Sequence, residues 1–234
     1  MRIFVDPALL AAGELRVTGD EHHYLGRVRR ARIGDAVEIV DGAGRRAHAV
    51  IERITDGDTT LRVGESEAIL AKPPLVRVLV PLIKGDRMDA CLEKLVEVGA
   101  DAITVWPAAR SVVKLDDAKR GARIAKYQAL LQAAARQCGR AQIPSVSYAD
   151  SLATAIAALP EGLRLVLDPA SDAPLVVDAT DVTIASGPEG GLAPDELELL
   201  ARAGFVSIGL GPRILRAETA PTIAVALIRA ATAS

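Results

Sequence analysis

Aromatic side chains are scarce in this chain of 234 residues, where Phe, Tyr and Trp together make up 3% of the sequence. A hydrophobic core must therefore be built from Ala, Val, Leu and Ile. The chain also lacks any uninterrupted run of the roughly 18 apolar residues that a membrane span requires. Its N-terminal segment has no long apolar stretch of the kind found in secretion signals. These absences predict a globular cytoplasmic protein without a membrane partner.

Cysteine is rare as well, because the chain contains only Cys91 and Cys138, and neither belongs to a CxxC pair. A disulfide framework and a structural zinc site are therefore not expected. We expect two buried thiols in a reducing compartment. The three histidines are too scattered along the chain to form a metal site, so no metal is expected.

An excess of positive charge is also missing, since 28 Lys and Arg face 30 Asp and Glu for a net charge of −2. Any contact with nucleic acid must come from a local basic patch. The segment from His22 to Arg32 contains two histidines and four arginines without an acidic residue. A solvated surface explains many such runs, but the contrast with the rest of the chain favours contact with phosphates. The residues predicted to make it are His22, Arg27, Arg29, Arg30 and Arg32.

Two regions with different patterns indicate two domains. Residues 1–70 carry short apolar runs separated by turn signals such as Asp41-Gly42 and Asp56-Gly57, which predicts a small β-barrel. The Pro-Pro pair in residues 71–74 marks a linker. In residues 75–234, strands alternate with helices, and the strands are continuously apolar. Such strands are buried on both faces, which predicts an α/β domain with a largely parallel sheet.

The helices of the second region can be placed by their apolar spacing. The pattern predicts helices over 86–98, 114–140, 150–159 and 194–203. In the last helix, Thr219 is the expected N-cap and Pro221 lies in the first turn. Its predicted apolar face consists of Ile223, Ala226, Leu227 and Ala230.

Two glycine-rich stretches, Ser186–Gly191 and Leu210–Ala220, each follow a short apolar strand and lead into a helical pattern. Glycine at a strand end lets backbone approach a ligand closely. Two such turns at the carboxyl ends of neighbouring strands form a crevice for a small molecule. Ordinary strand-to-helix turns are the alternative, but the charged residues between the glycines favour a ligand site. The first stretch matches neither a Walker A nor a GxGxxG pattern.

The charged residues of these stretches allow more than one role. Glu189 either binds loop amides or acts directly in catalysis. Arg213 and Arg216 offer planar donor groups for phosphate or carboxylate, and Glu218 is the alternative internal partner. Four further cations lie at strand or helix ends, where loops could gather them on one rim to contact RNA. They are Lys84, Arg87, Arg110 and Arg140.

These motifs together resemble the 16S ribosomal RNA uridine-N3 methyltransferases of the SPOUT superfamily. SGPEGGL (186–192) and LGPRILRAETA (210–220) are similar to the C-terminal signature of that family. Upstream, PLIKGDRMDACLEKLVEVGAD, AARSVVKL and RQCGRAQIP match family segments in order, and HHYLGRVRRARIGD matches the amino-terminal module. The resemblance spans nearly the whole chain. One departure is Arg136, which stands where the family pattern has a glutamate.

The resemblance implies a knotted parallel-sheet methyltransferase domain over residues 75–234 and a PUA-like RNA-binding β-barrel over residues 1–70. It implies a homodimer that acts on 16S ribosomal RNA in the small ribosomal subunit. The implied cofactor is S-adenosyl-L-methionine, held in the knot by backbone groups of three loops. The residues expected to bind it are Leu167, Gly187, Pro188, Glu189, Gly190, Gly191, Ile208, Gly209, Leu210 and Leu215.

For a methyl transfer to uridine N3, the protein must align the reacting atoms and favour loss of the N3 proton. Arginine donors near the flanking carbonyl oxygens favour the resulting anion, and Arg213 or Arg216 is the candidate. Glu189 or Glu218 is the candidate base. N3 lies on the pairing edge, so the uridine must be unpaired or flipped out. The alternatives are a SPOUT methyltransferase acting on a ribose 2′-hydroxyl or on transfer RNA, and a non-catalytic RNA-binding ribosome-assembly factor.

Overall fold

The structure is a computed structural model that describes residues 1–69, 72–113 and 117–232. The chain divides into two compact units. Unit 1 comprises Met1–Ala71 together with Ala135–Ile143, and unit 2 comprises Lys72–Ala134 and Pro144–Ser234. The predicted boundary at residues 70 and 71, the predicted helix start at 114–116 and the last two residues lie outside the described residues. Within the described residues, no helix is long and apolar enough to cross a membrane.

Unit 1 is built on a sheet whose strand order, in residues 1–69, is β1-β3-β4-β5-β2. Strand β1 runs parallel to β3, and the other neighbours are antiparallel. Register shifts between β4 and β5 bend the pair, as β-bulges do. The strands are β1 (Arg2–Phe4), β2 (Gly13–Val17), β3 (Ala36–Val40), β4 (Arg45–Ile54) and β5 (Thr59–Ala68).

A single apolar cluster, which includes Ile3, Leu25, Ile39, Ile51 and Leu61, fills the interior of unit 1. All five of these side chains are fully buried. Leu25 comes from the helical connection between β2 and β3, which consists of α1 (Gly19–His23) and a π-type turn (Tyr24–Val28). This anchoring fixes the start of the arginine-rich segment on the surface of the unit.

Unit 2 contains a fully parallel sheet whose strand order, in the part that the structure describes, is β11-β9-β10-β6-β7-β8. The parallel α/β architecture predicted from the continuous apolar strands is confirmed. The strands are β6 (Leu75–Pro81), β7 (Ala102–Trp106), β8 (Ser145–Tyr148), β9 (Leu163–Leu167), β10 (Asp181–Ala185) and β11 (Val206–Ile208). The helices are α2 (Asp86–Val98), α3 (Asp117–Cys138), α4 (Leu152–Ala157), α5 (Pro194–Arg202) and α6 (Thr219–Ala231).

The chain crosses itself closely beside β9 and β11. The Ser171 hydroxyl donates to the Ser207 carbonyl at 3.1 Å, and the Gly209 amide donates to the Ala173 carbonyl at 3.1 Å. The segment after β9 is therefore bonded to the end of β11. The knot implied by the resemblance needs such crossings, and it stays a prediction.

Helix α6 differs from its prediction in two respects. Its N-cap is Glu218 rather than Thr219, which is the first helical residue. Its buried face consists of Pro221, Ala224, Val225 and Ile228. The predicted face is wrong, because Ile223, Leu227 and Ala230 are exposed and Ala226 is half-buried. Both stripes are apolar, so the periodicity alone did not identify the one that meets the sheet and α2.

Candidate functional site

A cavity of about 810 Å³ opens at the carboxyl ends of β9, β10 and β11 in unit 2. Small-molecule sites typically have volumes of roughly 300–1,000 Å³. The side chains and backbone that line this cavity come from residues 167–169, 186–192, 208–217, Arg87, Leu197 and Ala220, with Gly190, Gly209 and Pro212 not contributing.

Sheet register explains why these three segments meet. Strand β9 lies between β10 and β11, with Val166 opposite both Ala185 and Ser207. Since the three strands are parallel, the turns that follow them emerge at one edge. Strands β6, β7 and β8 lie on the other side of β10. The cavity is therefore in the half of the sheet formed by β11, β9 and β10.

Most of the residues predicted to bind the methyl donor line this cavity. Gly190 and Gly209 do not. The ones that do are Leu167, Gly187, Pro188, Glu189, Gly191, Ile208, Leu210 and Leu215.

Two of these glycines lie close to other atoms of the protein. A Cβ on Gly187 would lie 3.1 Å from the Leu192 amide nitrogen, and one on Gly190 would lie 3.2 Å from the Cβ of Arg110. The close approach of backbone predicted for these turns therefore includes approach to other parts of the protein.

Three of the four candidate catalytic residues, Arg213, Arg216 and Glu189, line the cavity. Glu189 forms an ion pair with Arg87, with 3.2 Å between Oε1 and Nη1. Arg216 lies 3.8 Å from Oε1 of Glu218, and its side chain is 79% exposed. Arg213 is exposed and makes no ion pair among the described residues.

Glu218 does not line the cavity. Its Oε2 atom is buried without a hydrogen-bond partner in the described part of the chain. Burial, and then the nearby charge of Glu218, raise the pKa of the Cys91 thiol to about 12. Glu218 therefore lies partly buried, near Cys91 of α2 on one side and Arg216 on the other.

The four arginines of the segment from His22 to Arg32 lie on the surface, and their contact with RNA stays a prediction. Arg27, Arg29, Arg30 and Arg32 are all exposed on unit 1. Among the described residues none of the four side chains makes an ion pair, whereas many other arginines of this unit do. A run of unpaired exposed guanidinium groups is well suited to phosphate contacts.

His22 is placed differently. Its Nδ1 lies 2.9 Å from the Thr59 hydroxyl, and its Nε2 lies 3.3 Å from the Asp56 carbonyl oxygen. Both ring nitrogens therefore fasten α1 to the turn between β4 and β5.

The four cations predicted to share a rim are not equivalent. Lys84 is exposed, and Arg87 lines the cavity. Arg110 donates from Nη1 to the carbonyl oxygens of Gly190 and Leu192 at 3.1 and 3.2 Å. Arg140 belongs to unit 1, whereas the other three belong to unit 2.

Arg136, the departure from the family pattern, forms an ion pair with Glu21 inside unit 1. Burial raises the pKa of Glu21, and the charge of Arg136 opposes that rise. The Arg136 guanidinium also lies 5.6 Å from the centre of the Phe4 ring. Arg136 thus makes both of these contacts within unit 1.

Sequence reasoning missed several residues of the site. Asp168 and Pro169 line the cavity because they directly follow β9, and their position after a strand was the available signal. Ile214 also lines it and is 87% exposed, which is unusual for so apolar a side chain. Glu196 lies in the first turn of α5, where an acidic residue is common, yet it is only 8% exposed.

One of the thiols also departs from expectation. Cys91 is buried, as predicted, but Cys138 is exposed. It is the last residue of α3 and belongs to unit 1.

Comparison with known families gives two matches. Residues 71–229 match an RNA methyltransferase domain, and residues 17–64 match an RNA methyltransferase PUA domain. A relative from Mycobacterium bovis, named ribosomal RNA small subunit methyltransferase E, is 34% identical over 97% of this chain and 90% of its own length. A relative of the same name from Bacillus subtilis is 31% identical over 91% of this chain and 88% of its own.

Solved structures are similar over the whole fold. A putative methyltransferase from Legionella pneumophila, determined with bound SAM, has a TM-score of 0.85 and 29% identity, covering 98% of this chain and 97% of its own. A ribosomal RNA small subunit methyltransferase E from Neisseria gonorrhoeae, bound to S-adenosyl methionine, has a TM-score of 0.83 and 26% identity. It covers 99% of this chain and 97% of its own.

Proposed function

The chain belongs to the ribosomal RNA small subunit methyltransferase E family, and from that premise we propose that it methylates N3 of a uridine in 16S ribosomal RNA. The observation that supports this most directly is the cavity at the ends of β9, β10 and β11, which has two exposed arginines, Arg213 and Arg216, at its border. The cavity provides room for a nucleoside methyl donor, and the arginines provide hydrogen-bond donors for the base that receives the methyl group.

S-adenosyl-L-methionine is the methyl donor, as it is in the two similar structures that contain it. The residues of this chain fit such a ligand in size and in charge. The cavity volume of about 810 Å³ suits a molecule of this class, and the carboxylates of Asp168 and Glu189 lie where a cationic group would be favoured. The donor's sulfonium carries an already activated methyl group, so the transfer needs no metal.

The backbone of three turns would hold the donor. Leu167 ends one strand, Gly187 to Gly191 form the second turn, and Ile208 to Leu215 form the third. Exposed amides and carbonyls of such turns supply directed hydrogen bonds at a low conformational cost, because parallel strands fix their ends.

The target uridine would lie against Arg213 and Arg216. Their guanidinium groups can donate to the two carbonyl oxygens that flank N3, which spreads the negative charge left when the N3 proton departs. Glu189 is the proposed acceptor of that proton, since of the two candidate bases only Glu189 lines the cavity. Arg87 orients this carboxylate through its ion pair.

The exposed arginines of unit 1 would hold the surrounding RNA. Arg27, Arg29, Arg30 and Arg32 supply four positive charges that are free to meet phosphates. We leave His22 out of the RNA surface, because both of its ring nitrogens are bonded within unit 1.

We also propose that the protein acts as a homodimer through α6. Ile223 and Leu227 are 39% and 45% exposed, and with Ala230 they form an apolar stripe along this helix. An exposed apolar stripe on a helix marks a surface that another element covers. Ala220, in the first turn of α6, lines the cavity, so a partner on this stripe would lie beside the site.

The proposal is tested by incubating the purified protein with isotope-labelled S-adenosyl-L-methionine and small ribosomal subunits that lack the modification. Nucleoside mass spectrometry should find the label in 3-methyluridine of 16S ribosomal RNA. A label in a 2′-O-methylated nucleoside would assign a different reaction. Failure to bind the donor in calorimetry would indicate a non-catalytic RNA-binding protein.

A further inference from the structure

A buried carboxylate forms a hydrogen bond to the turn that follows β10 and lines the cavity. Glu196 lies in the first turn of α5 and is 8% exposed. Its Oε2 accepts the Ala193 amide at 2.7 Å, and its Oε1 accepts the Ala109 amide at 2.7 Å. Ala193 ends the turn, whereas Ala109 belongs to the segment that follows β7. One carboxylate therefore joins the turn after β10 to the segment after β7. Glu196 and Ala109 are 87 residues apart in sequence.

Arg110 makes the second connection between the same two segments. Its Nη1 donates to the carbonyl oxygens of Gly190 and Leu192. The neighbouring Ser111 hydroxyl donates to the Leu82 carbonyl at 3.1 Å, which attaches this segment to the end of β6. The turn is thus tied, through Arg110 and Glu196, to a segment that is itself tied to the central sheet.

Neither Glu196 nor Arg110 lines the cavity. Their bonds end on backbone atoms of the turn, at Gly190, Leu192 and Ala193. A turn with three glycines, Gly187, Gly190 and Gly191, has many accessible conformations, and fixing one of them has a large entropic cost. A charged acceptor bonded to two amides is among the stronger ways to fix it.

We propose that Glu196 and Arg110 are positioning residues for the methyl donor, which hold the Gly187–Ala193 turn in its binding conformation before the donor arrives. This inference rests on the proposed function, and it assigns Arg110 to the donor site instead of the RNA surface where its charge alone would place it. Without the two connections, the turn must be ordered by the donor itself, and the cost of ordering is taken from its affinity.

The variants that test this are Glu196→Gln, Arg110→Ala and Arg110→Lys. Gln retains the size of Glu196 but can accept from only one of the two amides, since its NH₂ group is a donor. Lys retains donors for the two carbonyls that Arg110 contacts, so it should restore part of what Ala removes. Glu198→Gln is the matched control, because Glu198 lies on the same helix and pairs with Arg202 in solvent.

Calorimetry with S-adenosyl-L-methionine should show Kd values about tenfold higher for Glu196→Gln and Arg110→Ala, an intermediate value for Arg110→Lys and an unchanged value for Glu198→Gln. The KM for the donor should rise in parallel, while kcat at saturating donor stays within about twofold of wild type. RNA affinity, measured with ribosomal RNA fragments, should be unchanged. A purely structural role of these residues would lower the melting temperature and the active fraction without this division between KM and kcat.

The inference is overturned if Arg110→Ala weakens RNA binding and leaves donor affinity unchanged, because Arg110 would then contact RNA. It is also overturned if wild type and all variants bind the donor equally. Arg110 is exposed, so its variants should fold even if Glu196→Gln does not. If wild type itself does not bind the donor, the proposed function fails, and that result is distinct from equal binding by all the proteins.

Discussion

A Cβ on Gly209 would lie 1.9 Å from the carbonyl oxygen of Ser171. The backbone of residue 209 fixes the position of this Cβ, and the oxygen belongs to the backbone of Ser171. No side-chain rotation can therefore relieve the contact. The Gly209 amide also donates to the Ala173 carbonyl. The two segments cross at the border of the cavity, and only glycine allows them to approach this closely.

We therefore predict that Gly209→Ala prevents the two segments from crossing as they do. Replacing a hydrogen by a methyl at this distance must displace backbone, so the loss of stability should exceed about 4 kcal/mol, which is outside the usual range for one substitution. The expected result is aggregation or a large fall in melting temperature, measured by circular dichroism.

Gly121→Ala provides the control, because a Cβ at this position in α3 meets no atom within 4 Å. This variant should melt at or slightly above the wild-type temperature. A Gly209→Ala protein that melts like wild type would show that the crossing has more room than the structure gives it.

Arg216 provides a direct test of the proposed chemistry. If its guanidinium stabilises the developing uridine anion, Arg216→Ala should lower kcat by about 100-fold or more and leave donor affinity near wild type. Its side chain is 79% exposed, so the fold should not depend on it. Single-turnover methylation of ribosomal subunits measures the effect, and full activity with normal folding would remove Arg216 from the mechanism.

The exposed stripe of α6 predicts the oligomeric state. Leu227→Glu places a charge on the apolar surface proposed to bind a second copy of the chain, and sedimentation should show a shift from dimer to monomer. Ala153→Glu, at an exposed position of α4, is the comparison variant and should leave the dimer intact. A wild-type protein that sediments as a monomer at micromolar concentration would exclude this interface.

The two cysteines should differ strongly in reactivity. Cys138 is exposed, whereas burial and the charge of Glu218 raise the pKa of Cys91 to about 12. Thiolate is the reactive form, so Ellman's reagent should modify one thiol in the native protein and two after denaturation. Cys138→Ser should abolish the native reaction. Rapid modification of Cys91 in that variant would mean that α2 opens readily.

Unit 1 should lose stability in acid through Asp41. Its Oδ1 accepts the amides of Ala43 and Arg45, and its Oδ2 accepts Nε of Arg45. Burial alone would raise the pKa of Asp41, but these hydrogen bonds outweigh it, and the pKa lies below the ordinary value of 3.8. The stabilisation is therefore complete above 3.8, and it is lost as the pH falls below that value through the folded-state pKa.

The measurement is the free energy of unfolding in urea at pH 6 and at pH 3. Asp41→Asn should cost about 2 kcal/mol at pH 6 and less at pH 3, because below pH 3.8 the carboxyl of the unfolded chain is protonated and must lose its proton on folding. Glu65→Gln, at an exposed position, should cost nothing at either pH. An equal loss at both values would show that Asp41 does not titrate with folding.

The sequence was sufficient to predict the parallel sheet of unit 2 and the placement of both glycine-rich turns at strand ends. Both depend on local patterns, continuous apolar strands and glycine clusters, which act over a few residues. Strands β1 and β8, which have three and four residues, were not predicted from the sequence. Their pairing with distant strands stabilises them more than their own composition does.

Other features of the site depend on contacts that a linear pattern does not contain. Both faces of α6 are apolar, so its periodicity could not tell which one is buried. Arg110 has the charge of an RNA contact, yet its guanidinium bonds to a turn 80 and 82 residues away in sequence. The Glu196 carboxylate is likewise turned inward by a partner, Ala109, that no local signal indicates.

Unit 1 consists of two stretches of chain, Met1–Ala71 and Ala135–Ile143. The residues between them in sequence, Lys72–Ala134, belong to unit 2. The Ile143 amide donates to the Gly42 carbonyl at 2.9 Å, and Gln142 forms isolated β-bridges with Gly42 and Ala43. During synthesis, the first 71 residues leave the ribosome well before their last contributing segment has been translated. The amino-terminal module must therefore wait, incomplete, for about 70 further residues, which at typical rates of 5–20 residues per second is several seconds.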